Sequence, residues 1–218
     1  MMDLSVITRN ASFMLGGLML SFQLAIITIV AAMALGIVLA SARLSARPFL
    51  YYPATLYIHF FRGLPLILVI FWLYFLTPAI VGTVVDEFMS AVTAFVVFEG
   101  AYFAEIIRAG IQGVPAGQAM AAYSSGLSAC QAARHVILPQ ALRNMVPALV
   151  TQAVVVFQDT SLGYVIGLRE FLRRVNLTDA REARSLELYL FAGLVYFTIC
   201  LLGSLATRKL EKHRMAVR

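Results

Sequence analysis

Residues 115–139, PAGQAMAAYSSGLSACQAARHVILP, lie between two apolar segments and read as ordered. Pro115 suits the first turn of a helix, where its missing N–H costs nothing. Ala116–Ser125 is rich in good helix formers. Gly126 fits the position just past a helix end, where the chain turns left-handed at little cost. Ser128 has Gln131 three residues on, the spacing of a capping box. The second short helix is expected to stop before Pro139, because the proline pushes Leu138 out of the α region. A plain turn needs only a few residues. So long an ordered stretch between two spans therefore points to a surface that touches something in the cytoplasm.

Outward from this stretch the chain is apolar. It is 61% hydrophobic and 13% charged over 218 residues, with a mean hydropathy of +0.86. Those values belong to helical membrane proteins rather than soluble domains. A crossing takes about 20 mostly apolar residues. Residues 11–42, 57–76, 88–109, 138–157 and 188–206 supply five such stretches. The expected fold is an all-α membrane protein, a single domain over residues 1–218 with five transmembrane helices and an inner loop at about 112–138. The first stretch is too long for a signal h-region and follows only Arg9, so it reads as a retained anchor. Cys130 and Cys200 are far apart and form no metal or disulfide pattern. His59 and His135 have no partners in sequence for a metal or catalytic role.

The net charge is +6 and the pI about 9.6. In a soluble protein this would suggest nucleic acid. Here the bases sit at span ends, which suggests the positive-inside rule and no nucleic-acid partner. Arg43 and Arg47 follow the first span, Arg108 and Arg134 bracket the central loop, and the tail carries Arg208, Lys209, Lys212, Arg214 and Arg218. Asp86 and Glu87 follow the second span. The expected orientation is N-terminus outside and C-terminus in the cytoplasm. Residues 168–187 are the exception: they carry Arg169, Arg173, Arg174, Arg181 and Arg184 on the outer side. Folding back into the protein, or docking an external partner, would account for them. Five spans are an odd number for an inverted-repeat transporter, so a second copy or a related subunit is expected to help enclose a pathway.

Charged groups inside a membrane are costly and usually face the bundle interior. Glu99, Tyr102 and Glu105 recur every three residues and form one stripe, and Arg108 is placed to pair with Glu105. Thr151 and Gln152 recur seven residues later as Gln158 and Asp159, and Thr160 and Ser161 extend that face. Two readings stand open for Glu99, Gln152, Gln158, Asp159, Thr160 and Ser161: hydrogen bonding between helices, or contact with a solute. An intramembrane enzyme would need a Ser/His set or paired Asp residues within the bilayer, and Asp159 is the one candidate Asp there. A channel or sensor would leave the long inner loop idle.

The central stretch resembles the cytoplasmic loop of bacterial ABC-importer permeases: Glu-Ala-Ala, three residues, Gly, nine residues, Ile-x-Leu-Pro. Here it reads Met120-Ala121-Ala122, Gly126 and Val136-Ile137-Leu138-Pro139, with the same spacing. Met120 and Val136 depart from the pattern. Phe61-Arg62-Gly63-Leu64-Pro65-Leu66, the Tyr102/Glu105/Arg108/Gly110 stretch and Phe157-Gln158-Asp159-Thr160-Ser161-Leu162 are similar to segments of the polar amino-acid subfamily, most of all its glutamate/aspartate permeases. The resemblance implies a type I (MetI-like) bundle in the bacterial inner membrane. It implies a second permease subunit, a dimer of ABC ATPases and a periplasmic solute-binding protein. Gly117, Gln118, Met120, Ala121, Ala122, Gly126, Leu138 and Pro139 would then meet the ATPase. The chain lacks the Gly-rich P-loop with its lysine; Lys209 and Lys212 are its only lysines. No cofactor is expected in this chain: ATP and Mg would bind the partner ATPase, and the chain itself would not be an enzyme.

Overall fold

A computed structural model describes residues 3–83 and 85–215, so Arg218 of the basic tail lies outside the described residues. Those residues form nine α-helices and no strand: α1 Ser5–Arg43, α2 Pro48–Arg62, α3 Leu66–Val81, α4 Glu87–Gln112, α5 Ala116–Ser124, α6 Ala129–Ala132, α7 Leu138–Asp159, α8 Phe171–Glu182 and α9 Ser185–Met215. A π-helical turn, Ala133–Ile137, joins α6 to α7, and a 3-10 turn, Thr160–Ile166, follows α7. Four stretches are long and apolar enough to cross a membrane: Ser5–Arg43, Glu87–Gln112, Ala129–Ile166 and Ser185–Ala206. The fifth crossing requires α2 and α3 to count as one span, bent by 107°. The break falls at Gly63-Leu64-Pro65, with Gly63 ending α2 and Pro65 preceding α3.

α4 is the central helix, packed by α1, α2, α3 and α7. Its small residues explain that position: Ala91, Ala94, Ala101 and Ala104 are all fully buried. The two backbones approach closely at Gly36 of α1, where a Cβ would stand 2.7 Å from the Phe103 Cβ and 2.9 Å from the Ala104 nitrogen. Leu24, Phe95, Phe98 and Ile70 fill the core between α1, α3 and α4. Burying a side chain of that size gains about 1.5–3 kcal/mol in water; in lipid the gain comes from close packing instead.

The central stretch turns as its sequence implies. α5 ends in a left-handed Gly126 at φ +82°, the Leu127 N–H reaches back to the Ala122 carbonyl at 3.2 Å, and the Gly126 N–H reaches Tyr123 at 3.0 Å. Ser128 and Gln131 form a reciprocal capping box. The expected stop before Pro139 is wrong. Leu138 keeps helical angles of φ −61° and ψ −42°, and the helix runs on through the proline. The π turn is the physical reason: the Leu138 N–H bonds five residues back to Ala133, and the wider turn gives the pyrrolidine ring room. The second short helix is thus the foot of the fourth span.

The arginine-rich segment folds back. α8 packs on α1 and α9 through Val6, Met14, Phe171, Val175 and Leu188. Arg174 donates to the Phe13 carbonyl at 2.9 Å, and the guanidinium groups of Arg174 and Arg181 lie over the Phe13 ring.

Candidate functional site

The polar stripe on α4 meets the polar face of α7 at Glu99. Glu99 is fully buried, and Gln152 donates to its Oε2 at 2.7 Å. Its Oε1 is buried without a hydrogen-bond donor. Asp159, two turns along α7 from Gln152, is the charged neighbour of Glu99. Two carboxyls this close in a poorly polarisable interior favour a cation or a proton between them.

The six residues expected on this face divide. Glu99, Gln152 and Asp159 come together. Gln158 is exposed on the outside of the chain. Thr160 is fully buried and donates to the Phe157 carbonyl at 2.7 Å, with Tyr196 of α9 as its neighbour, so it serves the α7–α9 packing. Ser161, partly exposed, begins the 3-10 turn beside it. Gln158 is the sequence neighbour of Asp159 and so lies about 100° around α7 from the strip of Gln152 and Asp159, while Thr160 and Ser161 belong to the 3-10 turn, where the period of the α-helix no longer holds.

One turn below Tyr102, Glu105 accepts from two arginines and has a third nearby. Arg108 binds it through Nη2 and through Nε at 3.1 Å, Arg43 binds it from α1, and the Nη1 of Arg62 lies 4.0 Å away. The Glu105–Arg108 pair was legible as an i, i+3 spacing. Arg43 and Arg62 were not, because they come from other helices. The Arg62 guanidinium also lies over the Tyr102 ring, 5.4 Å from its centroid.

The residues of the central loop form a mostly exposed surface. Gly117, Met120, Ala121, Gly126, Leu138 and Pro139 are exposed. Ala122 is buried under α5, and the Gln118 side chain accepts from Gln140 at 3.2 Å. Met120 and Tyr123 are 62% and 50% exposed, an apolar pair at the tip where the pattern has its Glu.

A third buried carboxyl was missed. Glu170 caps α8, accepting from the backbone N–H groups of Leu172 at 2.8 Å and Arg173 at 2.6 Å. Ser21 and Tyr196 add longer contacts at 3.4 Å each. Glu followed by an apolar residue was its only local sign, and that is too weak a cap signal to single it out. Burial pushes its carboxyl up to about 7, although its hydrogen bonds pull the other way.

Comparison with known proteins fits this geometry. Residues 32–215 match the family model described as binding-protein-dependent transport system inner membrane component. The chain is 39% identical to the glutamate/aspartate import permease protein GltK of Escherichia coli, covering 96% of this chain and 97% of that one. It is 33% identical to the arginine transport system permease protein ArtQ of Bacillus subtilis, over 97% and 99% of the two chains. A solved amino acid ABC transporter with histidines superposes with a TM-score of 0.91 at 29% identity, over 98% of this chain and 99% of that one. Full-length agreement in sequence and in fold places this chain in the family of binding-protein-dependent transport system inner membrane components.

Proposed function

We propose that this chain is the permease subunit of an ATP-driven amino-acid importer and that its solute is glutamate or aspartate. The observation that carries a solute role is the buried meeting of Glu99, Gln152 and Asp159 with one carboxylate oxygen left without a donor. A free amino acid brings the missing group: its α-ammonium fits between the two carboxyls. The preference for acidic solutes rests on the likeness to GltK. The buried acids themselves favour a second reading, a cationic amino acid, as the likeness to ArtQ also allows.

In this reading a dimer of ABC ATPases binds ATP and Mg and receives α5 and the turn at Gly126. A second permease subunit closes the pathway, and a periplasmic binding protein delivers the solute. ATP-driven closure of the ATPases moves α5, and the spans rock to present the Glu99 face outward. The N-terminus lies in the periplasm and the C-terminus in the cytoplasm. Cysteines placed at Thr83 and Met120 in a Cys-less chain should then be reached from opposite sides of a sealed vesicle; labelling from one side would overturn that orientation.

The solute is tested by ATP-dependent uptake in vesicles holding the whole importer. Unlabelled glutamate or aspartate should compete best and arginine poorly. Best competition by arginine would replace the acidic reading with the cationic one. Absence of ATP-dependent uptake of any amino acid would overturn the importer itself.

A further inference from the structure

α8 joins the end of one crossing stretch, Ala129–Ile166, to the start of the next, Ser185–Ala206, so it lies at a membrane face. In the orientation proposed above that face is the outer one, where topology does not call for arginines. The segment nevertheless carries five, and its acids do not neutralise them. Glu170 is buried on the N–H groups of its own helix, and Asp179 accepts from Ser185. Glu182 is held by Arg9 and Asn10, and Glu187 by the Asp3 N–H and Arg184. Arg169, Arg173, Arg174 and Arg181 meet no carboxylate among the described residues. Arg174 and Arg181 are engaged by backbone carbonyls and the Phe13 ring. The Arg173 side chain has one long contact, from Nη1 to Asn176 Oδ1 at 3.3 Å. Asn176 in turn donates to the Tyr189 hydroxyl at 3.1 Å. Tyr189 is 42% exposed near the start of α9. Beside it Leu186, Leu190, Leu194 and Phe197 recur every three or four residues, all exposed, and form one apolar stripe down the helix.

We propose that Arg173, Asn176 and Tyr189 form a binding site for an anionic phospholipid. The phosphate rests on the Arg173 guanidinium, and the acyl chains lie along the α9 stripe. A guanidinium presents a fork of N–H groups that fits two phosphate oxygens, and Arg173 has spent only one of its five. Tyrosine suits the level where headgroup meets hydrocarbon, with its ring in the apolar layer and its hydroxyl among polar groups. The cationic cluster and the apolar stripe are continuous through Asn176 and Tyr189. That pairing matches a molecule with a charged head and long apolar chains. An acidic protein surface would answer the charge alone and leave the stripe uncovered. The lipid would bridge α8 and α9 from the membrane side, as Glu170 and Tyr196 tie the same two helices from within. Such a site serves whichever amino acid the importer carries.

Native mass spectrometry of the purified permease–ATPase complex reads lipid binding one molecule at a time. The complex is titrated with phosphatidylglycerol and, in parallel, with phosphatidylcholine, which carries no net charge. The wild type should bind phosphatidylglycerol about fivefold more tightly or better, the gain expected from one arginine beside an anionic lipid. Arg173→Gln should weaken one phosphatidylglycerol per copy of this chain by about fivefold and leave phosphatidylcholine within about twofold. Tyr189→Phe keeps the ring, removes the hydroxyl and should weaken the same lipid about threefold, as for one lost hydrogen bond. It carries the test alone if the Gln variant does not assemble. Undiminished phosphatidylglycerol binding in these variants, or equal binding of the two lipids by the wild type, overturns the proposal. Displacement of the lipid by inorganic phosphate would show a site for a free anion and overturn it too. So would an Arg173→Gln complex that keeps its lipid but captures the binding protein less well in lipid-free detergent, which would assign the arginine to a protein interface.

Discussion

Glu99 and Glu170 are both fully buried glutamates in an apolar protein, yet their surroundings differ. Glu170 is enclosed by donors on three sides: two backbone N–H groups of α8, Ser21 of α1 and Tyr196 of α9. Glu99 has one donor, Gln152, and an acid for a neighbour. A buried group whose needs are met within the chain fastens helices together. One left with an unmet need is a place where something else belongs. Burial alone does not separate a clasp from a site; the count of donors does.

Removing the clasp should have the largest effect. Glu170→Ala strands the Leu172 and Arg173 N–H groups and is expected to cost about 2–4 kcal/mol. The thermal midpoint of the purified complex should fall, while uptake per assembled complex stays near normal. Lost uptake at unchanged stability would break the comparison. Asp159→Asn should do the reverse: uptake of acidic amino acids falls at least about tenfold, and the complex still assembles and hydrolyses ATP. Normal uptake in that variant would return the Glu99 face to helix packing. Gly126→Val asks whether damage at the turn between α5 and α6 reaches the pathway and spares the clasp. A β-branched residue at φ +82° carries strain of about 1–3 kcal/mol. ATPase assembly and uptake should weaken together with the spans inserted normally; full uptake would show that the turn does not matter.

The smallest effect is a slope against pH. The Glu170 carboxyl titrates near 7 in the folded chain, above its ordinary value. Between the unfolded and folded values the folded state holds the extra proton. Its contribution is therefore fully present below about pH 4 and is lost as pH rises toward 7, by at most about 1.4 kcal/mol per unit. Thermal melts of wild type should show this fall, and Glu170→Gln should flatten it. An equal slope in both would assign the titration elsewhere.

Local spacing made much of this molecule legible. The turn at Gly126, the Ser128–Gln131 box and the Glu105–Arg108 pair each involve residues three to five apart, and each is found. What spacing could not reach was contact between distant segments. Arg43 and Glu105 are 62 residues apart, and Ser21 and Glu170 are 149 apart. Pro139 misled for another reason. The rule that the residue before a proline leaves the helix assumes an ordinary α turn, and Ala133–Ile137 is not one. On α7 the repeat of Gln152 and Asp159 held, but Thr160 fell on the 3-10 turn, where the period of the α-helix no longer applies.

The helix that continues through Pro139 gives the chain a mechanical property. From Ala129 at the turn after α5 to Asp159 beside Glu99 there is one unbroken run of helix. At 1.5 Å per residue it is about 45 Å long. Such a run is a lever rather than a relay: a tilt of about 1° at its foot displaces the far end by about 0.8 Å at that length. Spin labels at Cys130 and Ser161 would hold their separation through the transport cycle while both move against α1; a changing separation would mean that the lever flexes. If it is stiff, the stroke at the membrane face and the opening at the acids are one motion, sized by the length of a single helix.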